Sequence, residues 1–73
     1  MSRTIKQPIQ TDFIRLDSLL KLSGMAQTGG EAKILIREGF VSVNGEVCLM
    51  RGKKIVPGDT VALPEEDTVL TVE

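Results

Sequence analysis

The chain contains no histidine, tyrosine or tryptophan and a single cysteine, Cys48. One cysteine cannot form an intramolecular disulfide, which suits a reducing compartment. Without histidine there is no Ser-His-Asp or Cys-His nucleophile, and a nitrogen–sulfur zinc cluster has no ligand set. Cys48 lies in an apolar, strand-like segment, so it reads as a small buried side chain rather than a reactive thiol. Only two aromatics are present, Phe13 and Phe40, so Leu, Ile and Val must build the core. No apolar run approaches the length of about 18 residues needed to cross a bilayer. The first residues, "MSRTIKQPIQTDF", lack the apolar stretch of a signal peptide. The expected location is cytoplasmic, with no membrane partner. Neither a cofactor nor a metal is expected.

What is present fits one small α+β domain over residues 1–73. Hydrophobic residues make up 41% of the chain, enough to argue against disorder. The formal net charge is −1, but its distribution is uneven. Residues 21–54 carry six bases (Lys21, Lys33, Arg37, Arg51, Lys53, Lys54) against three acids, for a balance of +3. Residues 55–73 carry five acids and no base. A weakly acidic chain can therefore still present a basic face.

Periodicity assigns the elements. Residues 1–11 are polar and interrupted by Pro8; Ile5 and Ile9 belong to an edge strand or to an arm laid on the domain. In "RLDSLLKLSG", Leu16, Leu19 and Leu20 form a helical stripe, with Asp17 or Ser18 near its start and Gly24 at its end. Thr28 followed by Glu31 is a capping-box pattern, which starts a second helix at about residue 29 and runs it to Glu38. Ala32, Leu35 and Ile36 share the face of that helix expected to meet the first. Lys33 and Arg37 share another.

From Val41 the period changes to two. Asn44-Gly45 marks a hairpin turn, with Glu46, Val47 and Cys48 beginning the return strand. "RGKK", residues 51–54, reads as a basic loop. Pro57-Gly58 suits a type II turn before an alternating strand around Val61 and Leu63, and residues 68–73 form a last strand.

Two features carry functional weight. The first is the pair Gly29-Gly30 just inside the Thr28 cap, where free N–H groups and the helix dipole favour an anion and side chains do not obstruct it. Close packing of the two helices at Gly30 is the stronger reading on sequence alone, and Glu31 is a local carboxylate that competes for the anion's role. "TGGEAK" is not a nucleotide loop, because it lacks the length and the Lys-Ser/Thr ending of a Walker A motif. The second feature is the basic set Lys33, Arg37, Arg51, Lys53 and Lys54. If helix and loop fold together, these long cationic donors form one phosphate-binding patch. No stacking aromatic is evident beside them, which points to shape and backbone recognition of structured RNA. Asp12 and Asp17 give only a weak paired-carboxylate signal. A protein-docking module is the rival reading, and exposure of Ile34 or Met50 beside an apolar patch would favour it.

The order of residues from Arg15 to Val61 resembles the S-four type RNA-binding domain, also called the alpha-L motif. The resemblance rests on Arg15-Leu16-Asp17, Leu20, Thr28, Ala32-Lys33, Ile36, Gly39, Val41, Val43-Asn44-Gly45 and Gly58-Asp59, and it covers 47 of 73 residues. It is nearest to small free-standing bacterial members that carry "TGGEAK" and an "R-x-KK" stretch. The resemblance implies a two-helix hairpin packed on a small, curved, mostly antiparallel sheet. Residues 1–11 form an N-terminal arm and residues 68–73 a C-terminal strand around the core motif. It further implies binding of structured ribosomal or transfer RNA, in a ribosome-associated or ribosome-maturation setting where ribosomal proteins are further partners. The RNA-binding residues it implies are Thr28, Lys33 and Arg37, with Arg51, Lys53 and Lys54 joining from the loop; Gly29 and Gly30 complete the candidate set. Many members place Arg directly after the Thr or Ser cap, where this chain has Gly29. Many also carry a pseudouridine synthase or aminoacyl-tRNA synthetase partner domain, for which 73 residues leave no room. The resemblance therefore implies binding without catalysis.

Overall fold

The computed structural model describes residues 2–73. Two helices, α1 (Leu16–Leu22) and α2 (Gly29–Arg37), pack against strands β3 (Ser42–Val43), β6 (Thr60–Leu63) and β7 (Thr68–Val72), while both residues of β4 (Glu46–Val47) are exposed. An N-terminal strand β1 (Arg3–Gln7) completes a five-stranded sheet in the order β1-β7-β6-β3-β4. All pairings in this sheet are antiparallel except β1 with β7, which is parallel. Within the segment read as edge strand or arm, Arg3–Gln7 forms an edge strand, and Ile5 and Ile9 are half-buried against the core.

The core follows the two periods. Leu16, Leu19 and Leu20 from α1 meet Ala32 and Ile36 from α2, and all five are fully buried. Leu22, off that stripe, is exposed. Alternate strand positions supply Val41, Val43, Val61, Leu63, Leu70 and Val72 from below. The hairpin turn is set by Asn44 and Gly45, whose φ values of 52° and 88° are the left-handed pair a type I′ turn requires. Pro64–Glu66 forms a single 3₁₀ turn, where proline and the acidic run end the alternation.

One part of the sequence expectation is corrected. "RGKK" is not wholly a loop, because Lys54 and Ile55 form β5, antiparallel to β2 (Ile14–Arg15). Two-residue strands have no internal period, and their partners lie some 40 positions apart in sequence. The start of α1 depends on the same segment. It has no side-chain cap. Its first amides instead donate to main-chain carbonyls, Leu16 N–H to Lys53 O at 2.9 Å and Asp17 N–H to Arg51 O at 3.1 Å. Asp17 turns aside, its Oδ1 accepting from the Ser18 N–H at 2.8 Å and its Oδ2 pairing with Arg15 at 3.3 Å.

A polar lock joins the two turns at the far end of the sheet. Asn44 Oδ1 accepts from the Thr60 N–H at 2.9 Å, and Asn44 Nδ2 donates to Asp59 Oδ1 at 3.1 Å. Asp59 Oδ2 accepts from the Val56 N–H at 3.0 Å. The main-chain bond from Val56 and the Asn44 amide hold the Asp59 carboxyl below its ordinary value of 3.8; Lys53 acts in the same direction.

Candidate nucleic-acid interface

Helix α2 begins where the Thr28–Glu31 pattern places it. Thr28 is extended, and its Oγ1 accepts from the Glu31 N–H at 3.1 Å. Only this half of the reciprocal capping pattern forms. Among the described residues, the N–H groups of Gly29 and Gly30 have no protein acceptor.

The space around these glycines bears on why they are there. A Cβ built on Gly29 meets nothing within 4 Å. One on Gly30 meets only Thr28 Oγ1, at an ordinary 3.8 Å. Neither residue has a positive φ. Close helix packing at Gly30 is therefore ruled out as the reason for it, and so is a special backbone conformation.

One turn further along α2, Lys33 and Arg37 line a concavity of about 250 Å³ together with Ile36, Leu49 and Arg51. Three cations from two separated segments thus converge on one surface, and no carboxylate lines it. Among the described residues the only ion pair is Arg15–Asp17, so Lys33, Arg37 and Arg51 form no ion pair with a carboxylate. The main chain of Arg51 is held by the Asp17 N–H, so the start of α1 fixes the far wall of the groove.

The rest of the basic set is divided. Lys54 lies on β5 with its ammonium 4.8 Å from the Phe13 ring centroid, in cation–π geometry. Lys53 does not line the concavity; its main chain holds the start of α1 and its charge acts on Asp59. Two wall residues were not anticipated, Ile36 at the bottom and Leu49 at the side. The apolar alternation through Val47 and Leu49 was a usable signal for the second. Ile34 and Met50 are 51% and 67% exposed.

Groups with catalytic potential are not gathered here. Cys48 is half-buried, with its Sγ 3.7 Å from Met50 O. Asp12 and Asp17 stand outside the concavity. Among the described residues no cluster of three His, Cys, Asp or Glu side chains could hold a metal ion. No helix there is long and apolar enough to cross a membrane.

The comparisons agree with this architecture. The family model described as "S4 domain" matches residues 7–72. Over 49 residues the chain is 47% identical to "Putative RNA-binding protein YbcJ" of Escherichia coli (strain K12), covering 67% of this chain and 70% of that protein. Over 55 residues it is 42% identical to "Probable ribosome maturation protein RlbA" of Bacillus subtilis (strain 168), covering 75% of this chain and 78% of that protein. A family match across nearly the whole chain, together with relatives that align over most of their own length, makes this chain a member of the S4 domain family.

Proposed function

We propose that this chain is a non-catalytic RNA-binding module acting in the cytoplasm, on a folded surface of ribosomal or transfer RNA during ribosome maturation. The observation that carries the reading is the convergence of Lys33, Arg37 and Arg51, unpaired, on one concave surface. Guanidinium and ammonium donors left without carboxylates can take phosphate oxygens with little internal competition. The names of the two relatives support the RNA and ribosome parts of the reading. Thr28, Gly29 and Gly30 extend the surface, with two free amides open to a phosphate at the start of α2. Lys53 and Lys54 add phosphate contacts from outside the groove, and the acidic turn at Glu65-Glu66-Asp67 faces away from the RNA. Ribosomal proteins are neighbours in the same assembly.

Filter binding to folded ribosomal and transfer RNA across a salt series tests this. Affinity is expected to fall steeply as salt rises, because phosphate contacts release counterions. Undetectable or salt-independent binding refutes it.

A second reading, docking on a ribosomal or other cytoplasmic protein, is favoured by the exposure of Ile34 and Met50 and by the separation of Lys54 from the groove. Under that reading, charge-neutralising changes in the groove leave RNA retention unaltered.

A further inference from the structure

The cationic groove is not lined by charge alone. Leu49 forms one wall and remains 63% exposed, and Ile36 closes the bottom. The apolar surface continues beyond the groove. Ser42 pairs with Val47, and the Cys48 N–H donates to Val41 O at 3.0 Å. Extending that register sets Phe40 across from Leu49, on the face opposite the buried Val41 and Val43. Phe40 is 41% exposed and Val47 61%. Val47 and Leu49 also lie over Gly39 at the end of α2, 3.8 and 4.0 Å from where its Cβ would be. An apolar strip thus runs into a pocket whose other walls are three cations.

A continuous RNA duplex offers such a strip no base face. Its base pairs are stacked inside, and its shallow minor groove shows only base edges and 2′-hydroxyls. An unpaired nucleotide offers both required chemistries, an apolar planar base and the phosphates on either side of it. The dimensions agree, since the concavity of about 250 Å³ falls below the roughly 300–1,000 Å³ of sites that enclose drug-sized ligands. That leaves room for one ring system against Leu49.

Resting on the RNA-binding reading above, we infer that the groove between α2 and residues 49–51 receives one unpaired nucleotide of a structured RNA. Its base lies on Leu49 and the Phe40 strip, and its flanking phosphates lie on Lys33, Arg37 and Arg51. The module then selects helices that carry a bulge or a helix–loop junction over uninterrupted ones.

The test uses the full chain and two RNA stems that differ only in a single bulged 2-aminopurine. The wild-type protein is expected to bind the bulged stem about tenfold more tightly than the paired one, and to change the 2-aminopurine fluorescence on binding. Leu49→Ser, at an exposed position, is expected to weaken the bulged stem more than the paired one, so that the preference and the fluorescence change are lost. Far-UV circular dichroism verifies its fold. Equal binding of both stems by the wild type overturns the inference and leaves general RNA binding standing. A preference that survives Leu49→Ser also overturns it, because the base is then held elsewhere. Failure to bind either stem overturns it together with the RNA-binding reading.

Discussion

Replacing both Gly29 and Gly30 by alanine should make the protein more stable and a poorer RNA binder. The structure supplies the first half directly. A methyl group at Gly29 enters open space, and one at Gly30 makes an ordinary contact with Thr28 Oγ1. Neither position needs a positive φ. Alanine at such sites stabilises by about 0.4–1 kcal/mol, mainly by restricting the unfolded chain. The first helical positions belong at the low end, because the penalty for glycine there is smaller than in mid-helix. Two alanines near the low end of that range together contribute about 1 kcal/mol. For a domain of this size that raises the melting temperature by about 4–8 °C. The binding half depends on the two uncovered amides. A lost charge-assisted contact costs about 1.5–3 kcal/mol, which is tenfold or more in affinity. Thermal melting by far-UV circular dichroism and filter binding to folded ribosomal RNA read the two effects separately. A lower melting temperature would refute the structural reasoning. A higher melting temperature with unchanged RNA affinity would remove both glycines from the interface. Gly29→Arg sharpens the outcome, since tighter binding means that a side chain does the work there and weaker binding means that the main chain does.

Neutralising the groove with Lys33→Gln, Arg37→Gln and Arg51→Gln together should flatten the dependence of log affinity on log salt by about 2.7, at about 0.9 per phosphate contact. A slope equal to that of the wild type would take these residues out of the interface. Thr28→Ala removes the acceptor for the Glu31 N–H and should cost about 1 kcal/mol, measured by urea denaturation. The Asp59 carboxyl is held below its ordinary 3.8, so its contribution to stability is fully present above that pH and is lost as the pH falls below it. Asp59→Ala should therefore be less stable than the wild type at neutral pH, with the gap closing in acid. A constant gap from neutral pH down through the carboxylate range would contradict the hydrogen bonds from Val56 and Asn44.

The legible parts of the fold are those where a local pattern and a local cause coincide. Thr28 caps α2 because a threonine oxygen reaches an amide three residues on. Asn44-Gly45 turns the chain because both residues tolerate left-handed backbone. Leu16, Leu19 and Leu20 are buried together because a helix repeats every 3.6 residues. In contrast, the pairing of Ile14–Arg15 with Lys54–Ile55 has no local signature, and with it went the cap of α1 by Lys53 and Arg51. Asp17 looked like a helix-capping side chain in the sequence, but main-chain carbonyls from across the fold took that position.

The candidate site divides in the same way. Lys33 and Arg37 are four apart on one helix, so their shared face was determined by spacing alone. Which loop cations join them depends on long-range contacts. Arg51 reaches the groove, whereas Lys54 is taken by Phe13. The exposure of Leu49, and with it the apolar wall of the groove, depends on what the fold leaves uncovered beside Gly39. By itself the sequence determined the helices, the turns, the absence of histidine and of an intramolecular disulfide, and the presence of a pair of glycines at a capped helix start. Only the tertiary structure decided that those glycines serve no packing need and which cations meet. Burial, open space and convergence are properties of segments far apart in the chain, and no local periodicity encodes them.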